Sequence, residues 1–241
     1  MCLNNFIHYT DTQIGRQYMQ GIPDMRYYSS LPLCALDAVF SIRASYEKIV
    51  NPLINRVCKE LDLKRAAENP FEIPGEEQLS VSDFMQRLTE HYQLSKDAAP
   101  AQNGEILAEK INNRQRTSTR NGILKAEAFL RYLDVFRNNH IESYQDLNNP
   151  ENQPAVEQAL RKIPGQNVAV DYFFMLAGER NLVKVDTHLR RYVDAAVGKN
   201  LTNEAIINLF REAAAHYQKN GFPDMTPRHL DHIVWSWQKG R

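Results

Sequence analysis

The segment Ile163-Pro164-Gly165-Gln166-Asn167 interrupts two helical patterns, and 21 residues beyond its glycine stands Asp186, within Val185-Asp186-Thr187-His188. Val156, Leu160 and Ile163 recur at helical spacing before the interruption, and Val168, Tyr172, Met175 and Leu176 do so after it. The spacing therefore predicts two helices joined by a tight turn. Pro164 stops the first helix, Gly165 accepts a positive φ, and Asn167 belongs to the residue type that next best tolerates a left-handed backbone. The second helix then opens with N–H groups that lack helical partners, an arrangement that stabilises a phosphate oxygen through hydrogen bonds and the helix dipole.

The same periodicity runs outward through the chain. Leu33 to Ser41, Ser82 to Tyr92, Ile123 to Phe136 and Ala205 to Tyr217 carry apolar residues three and four apart, and no set of period-two strands accompanies them. The expected fold class is all-α. Ser80 with Asp83 resembles a capping box, Thr202 is placed to cap the helix from 205, and Asp186 to cap one over Thr187 to Val197. Pro52 either starts a helix or kinks one that continues. Residues 64–120, with their prolines and polar runs, reveal least.

At 241 residues the chain is long enough to bury about 70–75% of its extended surface, as one large domain or two small ones. Hydrophobic content of 43% and charged content of 24% suit a globular protein, and no apolar run approaches the roughly 20 residues needed to span a bilayer. Met1 to Asn5 lacks the pattern of a secretory signal, and Cys2, Cys34 and Cys58 form no disulfide framework, so an intracellular, reducing location is expected. The formal net charge of zero argues mildly against a nucleic-acid partner. Locally, Lys110, Arg114, Arg116, Arg120, Lys125 and Arg131 face only Glu127 across one stretch, which reads equally as a solvated surface or as a phosphate-facing strip.

These elements together resemble the helix-hairpin-helix DNA glycosylase superfamily that includes endonuclease III. The resemblance rests on the 163–167 turn, on Arg120-Asn121-Gly122-Ile123-Leu124-Lys125-Ala126-Glu127, on Ala38-Val39-Phe40-Ser41-Ile42-Arg43-Ala44-Ser45, and on Val185-Asp186-Thr187-His188-Leu189-Arg190-Arg191. The ending Asp231-His232-Ile233-Val234-Trp235 looks like the family's last helix. In the family's order these matches span roughly 31–241.

What the resemblance implies is concrete: two helical lobes, one of 31–178 with the hairpin at about 154–178, the other joining 1–30 to 179–241, and a cleft for double-stranded DNA between them. Asp186 would be the catalytic carboxylate, stabilising positive charge on the sugar as a modified or mispaired base leaves and activating the attacking water. Its plainer reading, a helix N-cap, is compatible with that role, since a helix N-terminus favours negative charge. Gly165, Gln166, Asn167 and Val168 would grip DNA, with Arg116, Arg120 and Lys125 beside them. Arg43 would fill the gap left by the flipped nucleotide, or else be an ordinary surface arginine after a helix. Asp37, Tyr46, Phe173 and Trp235 are candidates for the lesion pocket, although aromatic residues at helical spacing are more often core.

Departures from the family pattern sharpen the expectation. The lyase lysine of bifunctional members falls on Val168 or Ala169, depending on the point counted from, and neither carries a nucleophile. The three cysteines exclude the family's four-cysteine iron–sulfur cluster, so no cofactor is expected beyond a monovalent cation of the kind some relatives hold at hairpin carbonyls. His229 and His232 have H-x-x-H spacing without an evident third ligand, which leaves no metal site expected. The reading is a monofunctional enzyme of base-excision repair; the rival is a non-catalytic protein of the same fold that binds distorted or modified DNA.

Overall fold

Ten consecutive buried residues, Leu31 to Phe40, form the core helix of one of two compact units in the computed structural model. The structure describes residues 2–23, 27–67, 70, 73–74, 77–198 and 200–239. Helix makes up 64% of the described residues, and the helices, numbered in order, are α1 (Cys2–Gln13), α2 (Arg16–Gly21), α3 (Leu31–Ser41), α4 (Asn51–Glu60), α5 (Val81–Tyr92), α6 (Pro100–Lys110) and α7 (Lys125–Asn138). They continue as α8 (Tyr144–Asn148), α9 (Gln153–Arg161), α10 (Asn167–Leu176), α11 (Thr187–Val197), α12 (Asn203–Lys219) and α13 (Pro227–Lys239). Strand is confined, among the described residues, to the antiparallel pair β1 (Tyr27–Tyr28) and β2 (Ala66–Ala67). No helix of the described residues is long and apolar enough to cross a membrane.

The continuous unit, residues 26–177, is built around α3. A helix apolar on every side must be surrounded, and α3 packs against α4, α5, α7 and α10. Phe136 and Phe173 pack with rings tilted by 30° at 5.3 Å and Tyr132 meets Phe173 edge-on at 5.8 Å, which joins α7 to α10. The one charged residue of α3, Asp37, is buried, and its oxygens accept from Tyr28 Oη (2.7 Å), Tyr172 Oη (3.4 Å) and Ser41 Oγ (2.6 Å). Those bonds offset the cost of burying the carboxyl. Pro52 takes the first of its two expected places: it sits in the first turn of α4, a position that tolerates its missing N–H, and a π turn over Tyr46–Val50 leads into that helix.

The discontinuous unit, residues 1–25 with 178–241, packs α1 against α11 and α12, and α13 against both of these. Phe6 lies between Tyr192 and Phe210 at ring separations of 5.8 and 5.2 Å, and Tyr192 Oη donates to the buried Thr10 Oγ1 at 3.0 Å. α12 starts at the expected cap, with Thr202 Oγ1 accepting from Ala205 N at 3.2 Å. Ser80 Oγ accepts from Asp83 N at 2.9 Å, while a complete reciprocal capping box forms at Ser143 and Asp146, at the start of α8.

Candidate nucleic-acid interface and carboxylate site

α9 and α10 are held as a pair by most of the apolar residues that predicted them: Val156, Leu160 and Ile163 are buried on one side of the turn and Tyr172, Met175 and Leu176 on the other, while Val168 is exposed. Arg161 clasps the exposed side, donating to Glu157 Oε1 (2.7 Å), Asp171 Oδ1 (2.5 Å) and Asn167 O (3.2 Å). Within the turn, Gly165 has φ 74°, and a Cβ there would lie 2.8 Å from Thr117 Oγ1. Glycine is required twice over, by backbone conformation and by space. Val170 N donates to Gln166 O at 2.9 Å, the first bond of α10, so the amides of 167–169 precede any helical partner.

The turn residues divide by exposure. Gly165, Asn167 and Val168 are exposed; Gln166 is fully buried, and neither end of its amide has a partner among the described residues. The Gln166 side chain is thus turned away from the surface, and of the four turn residues it alone is buried. Thr117 Oγ1, against Gly165, is likewise buried without a partner among those residues. Of the two positions where the lyase lysine would fall, Val168 points outward at 57% exposure and Ala169 is buried.

Lys125 is the largest departure from expectation. It is 1% exposed, and its Nζ donates to Phe40 O (3.0 Å), Ile42 O (2.5 Å) and Gln115 Oε1 (2.9 Å). Burial pushes its pKa down to about 8. An ammonium so engaged does not face DNA; it satisfies carbonyls left open at the C-terminus of α3 and fixes the loop that follows. The next residue in that loop, Arg43, is exposed and holds a left-handed φ of 51°, uncommon for a side-chain-bearing residue. Arg116 and Arg120 lie on a tight loop closed by the Arg116–Leu124 bridge and by Thr117 N donating to Ile123 O at 2.9 Å. Both are exposed; Arg116 Nη1 also donates to Gly122 O (2.8 Å). Two links thus join the parts of this unit: Lys125 ties the Arg43 loop to Gln115, and Thr117 carries the arginine loop against the hairpin glycine.

In the discontinuous unit, Asp186 is the N-cap of α11, its Oδ1 accepting from His188 N and Leu189 N, each at 2.9 Å. Its Oδ2 has no hydrogen bond among the described residues, and the side chain is half-buried. One oxygen is held and the other is open. Beside it stands a residue whose role the sequence did not reveal: Asp231 of α13, buried, accepts from Lys184 N at 2.8 Å. Burial, with the charge of Asp186 adding to it, pushes the Asp231 pKa up to about 7 against the bond from Lys184 N. The available signal was an aspartate inside the apolar stripe Leu230, Ile233, Val234.

Of the other candidates, Phe173 is core, Tyr46 is half-buried beside Arg65, whose Nη2 donates to its hydroxyl at 3.3 Å, and Trp235 stacks on His232 at 6.5 Å. His229 Nε2 bonds to Ile22 O at 2.8 Å, so the two histidines do not share a ligand position. No group of three or more His, Cys, Asp or Glu side chains placed to hold a metal occurs among the described residues.

No curated protein and no solved structure matches this chain. A family model described as a domain of unknown function, DUF8548, matches residues 7–239, nearly its full length, and the chain belongs to that family.

Proposed function

We propose that this protein is a monofunctional DNA N-glycosylase with α9–α10 as its helix-hairpin-helix and Asp186 as its catalytic carboxylate. The observation that carries the reading is the Asp186 carboxyl, one oxygen fixed by two backbone amides and the other open, 21 residues after a turn whose amides are free to meet a phosphate. A carboxylate held this way needs no reorganisation as positive charge develops on a deoxyribose ring. Oδ2 would accept a proton from the attacking water as its oxygen bonds to C1′, while the base departs with the electrons of the C1′–N bond. With valine exposed and alanine buried where a lyase lysine would stand, the expected product is an intact abasic site.

The non-catalytic DNA-binding alternative gains from one observation: capping α11 already accounts for an aspartate at 186. The two separate in one experiment. Enzyme in excess is incubated with duplexes each bearing one alkylated, oxidised, deaminated or mispaired base, with and without borohydride, and abasic sites are revealed by alkali. The proposal predicts base release from at least one substrate with no borohydride-trapped adduct. Salt-dependent duplex binding without release from any substrate would favour the alternative.

A further inference from the structure

Asp186 sits at the end of a segment, 182–186, that has no helix or strand to hold it. On its far side Asp186 is tied to α11, with Arg190 N donating to its carbonyl at 3.0 Å; on the near side its position comes from side-chain and loop hydrogen bonds. α13 supplies one bond just before the segment and one within it. Arg228 N donates to Arg180 O at 3.1 Å, and Asp231 Oδ2 accepts from Lys184 N at 2.8 Å. The carbonyl of that same Lys184 accepts from Asp186 N at 2.8 Å. The path is short and continuous: carboxylate of Asp231, peptide groups of Lys184, backbone of Asp186.

We infer that Asp231 is the positioning residue for the Asp186 carboxylate, acting through Lys184 rather than on substrate. The inference deepens the glycosylase reading and rests on it. A buried carboxyl is costly wherever an apolar residue would pack, and its neighbours in the α13 stripe, Leu230, Ile233 and Val234, are all apolar and buried. Its geometry returns something specific, since removing the acceptor would break the bond from Lys184 N and loosen the segment that carries Asp186. Displacement of a reacting group by about 1 Å can cost 100-fold in rate.

The test compares Asp231→Asn, which keeps a side-chain oxygen for Lys184 N, with Asp231→Leu, which does not. Two readouts are taken on the full-length protein: amide hydrogen exchange at Lys184, Asp186, His188 and Leu189 without DNA, and single-turnover excision of the base that the substrate panel identifies. In Asp231→Leu, exchange at these amides should accelerate and excision should fall about 10- to 100-fold, with duplex affinity within about twofold and exchange in α12 unchanged. Asp231→Asn should stay within about threefold of wild type in both. A leucine variant with wild-type exchange, or leucine and asparagine variants impaired alike, would overturn the inference. If wild type excises nothing, the glycosylase reading fails and the exchange measurement still decides whether Asp231 positions Asp186.

Discussion

Lys125 shows how far a single residue's chemistry depends on where the chain places it. In sequence it is one of six cations in a strip; in the structure it is buried, donating to two carbonyls at the end of α3. Lys125→Met should cost about 1–3 kcal/mol, the penalty for leaving buried acceptors unpaired, and should weaken preference for damaged over intact duplex by loosening the Arg43 loop. Chemical denaturation and paired binding titrations would measure the two effects. The pH dependence has a definite sign. Because the folded pKa lies near 8, below the ordinary 10.5, the cost of burying the charge is fully present below pH 8. It is relieved as pH rises from about 8 to 10.5, where the unfolded chain binds the extra proton. Wild type should thus gain on Lys125→Met across that window, and a constant difference from pH 7 to 10.5 would contradict the assignment.

Asp231 has the opposite sign. Its folded pKa near 7 lies above the usual 3.8, with burial and Asp186 raising it and Lys184 and Arg228 opposing them. The protonated carboxyl is the favoured form in the fold, so stability should decline from about pH 4 to 7 and level off above that. Asp231→Asn lacks this titration. Its stability relative to wild type should rise through the same interval, readable from denaturant midpoints at pH 4.5 and 7.5.

At the scale of elements, the apolar and amphipathic helices were legible and the weakly patterned ones were not. The stripes of α5, α7 and α12 specify helices because one face meets a core and the other does not. α1 escaped notice because only Phe6 and Thr10 are buried in it, and Thr10 contributes through a hydrogen bond to Tyr192 that no hydrophobic pattern records. The basic strip does not form one surface, because residues 113–124 are a loop and its cations do not share a helix face. Arg114 pairs with Glu105 and Arg131 with Glu127, while Lys125 turns inward. The hairpin turn was legible because proline and glycine act locally. What the sequence hid there was Thr117, which reaches Gly165 from 48 residues away. Gly165→Ala should therefore cost more than the about 1–2 kcal/mol of a left-handed alanine and weaken binding to undamaged duplex. Combining it with Thr117→Ala should recover part of the loss, a coupling that a double-mutant cycle measures. Strict additivity would mean that the contact with Thr117 does not constrain the turn.

For the whole molecule, a formal net charge of zero means that any attraction for DNA is local. Arg116 and Arg120 lie on one loop of the continuous unit, and each phosphate contact they make should add about 0.9 to the slope of log affinity against log salt. Alanine at either should reduce that slope by about one and weaken binding across sequences alike; a slope unaffected by both would remove this loop from the interface. The proposed catalytic carboxylate lies in the other unit, where Asp186 caps α11 through Oδ1 while Oδ2 makes no hydrogen bond among the described residues. The most direct measurement is the single-turnover excision rate of Asp186→Asn against wild type. Asparagine caps a helix as well as aspartate does, so folding should be retained while the rate falls by about 100-fold or more. Asp186→Asn excising at the wild-type rate would contradict the account at its centre.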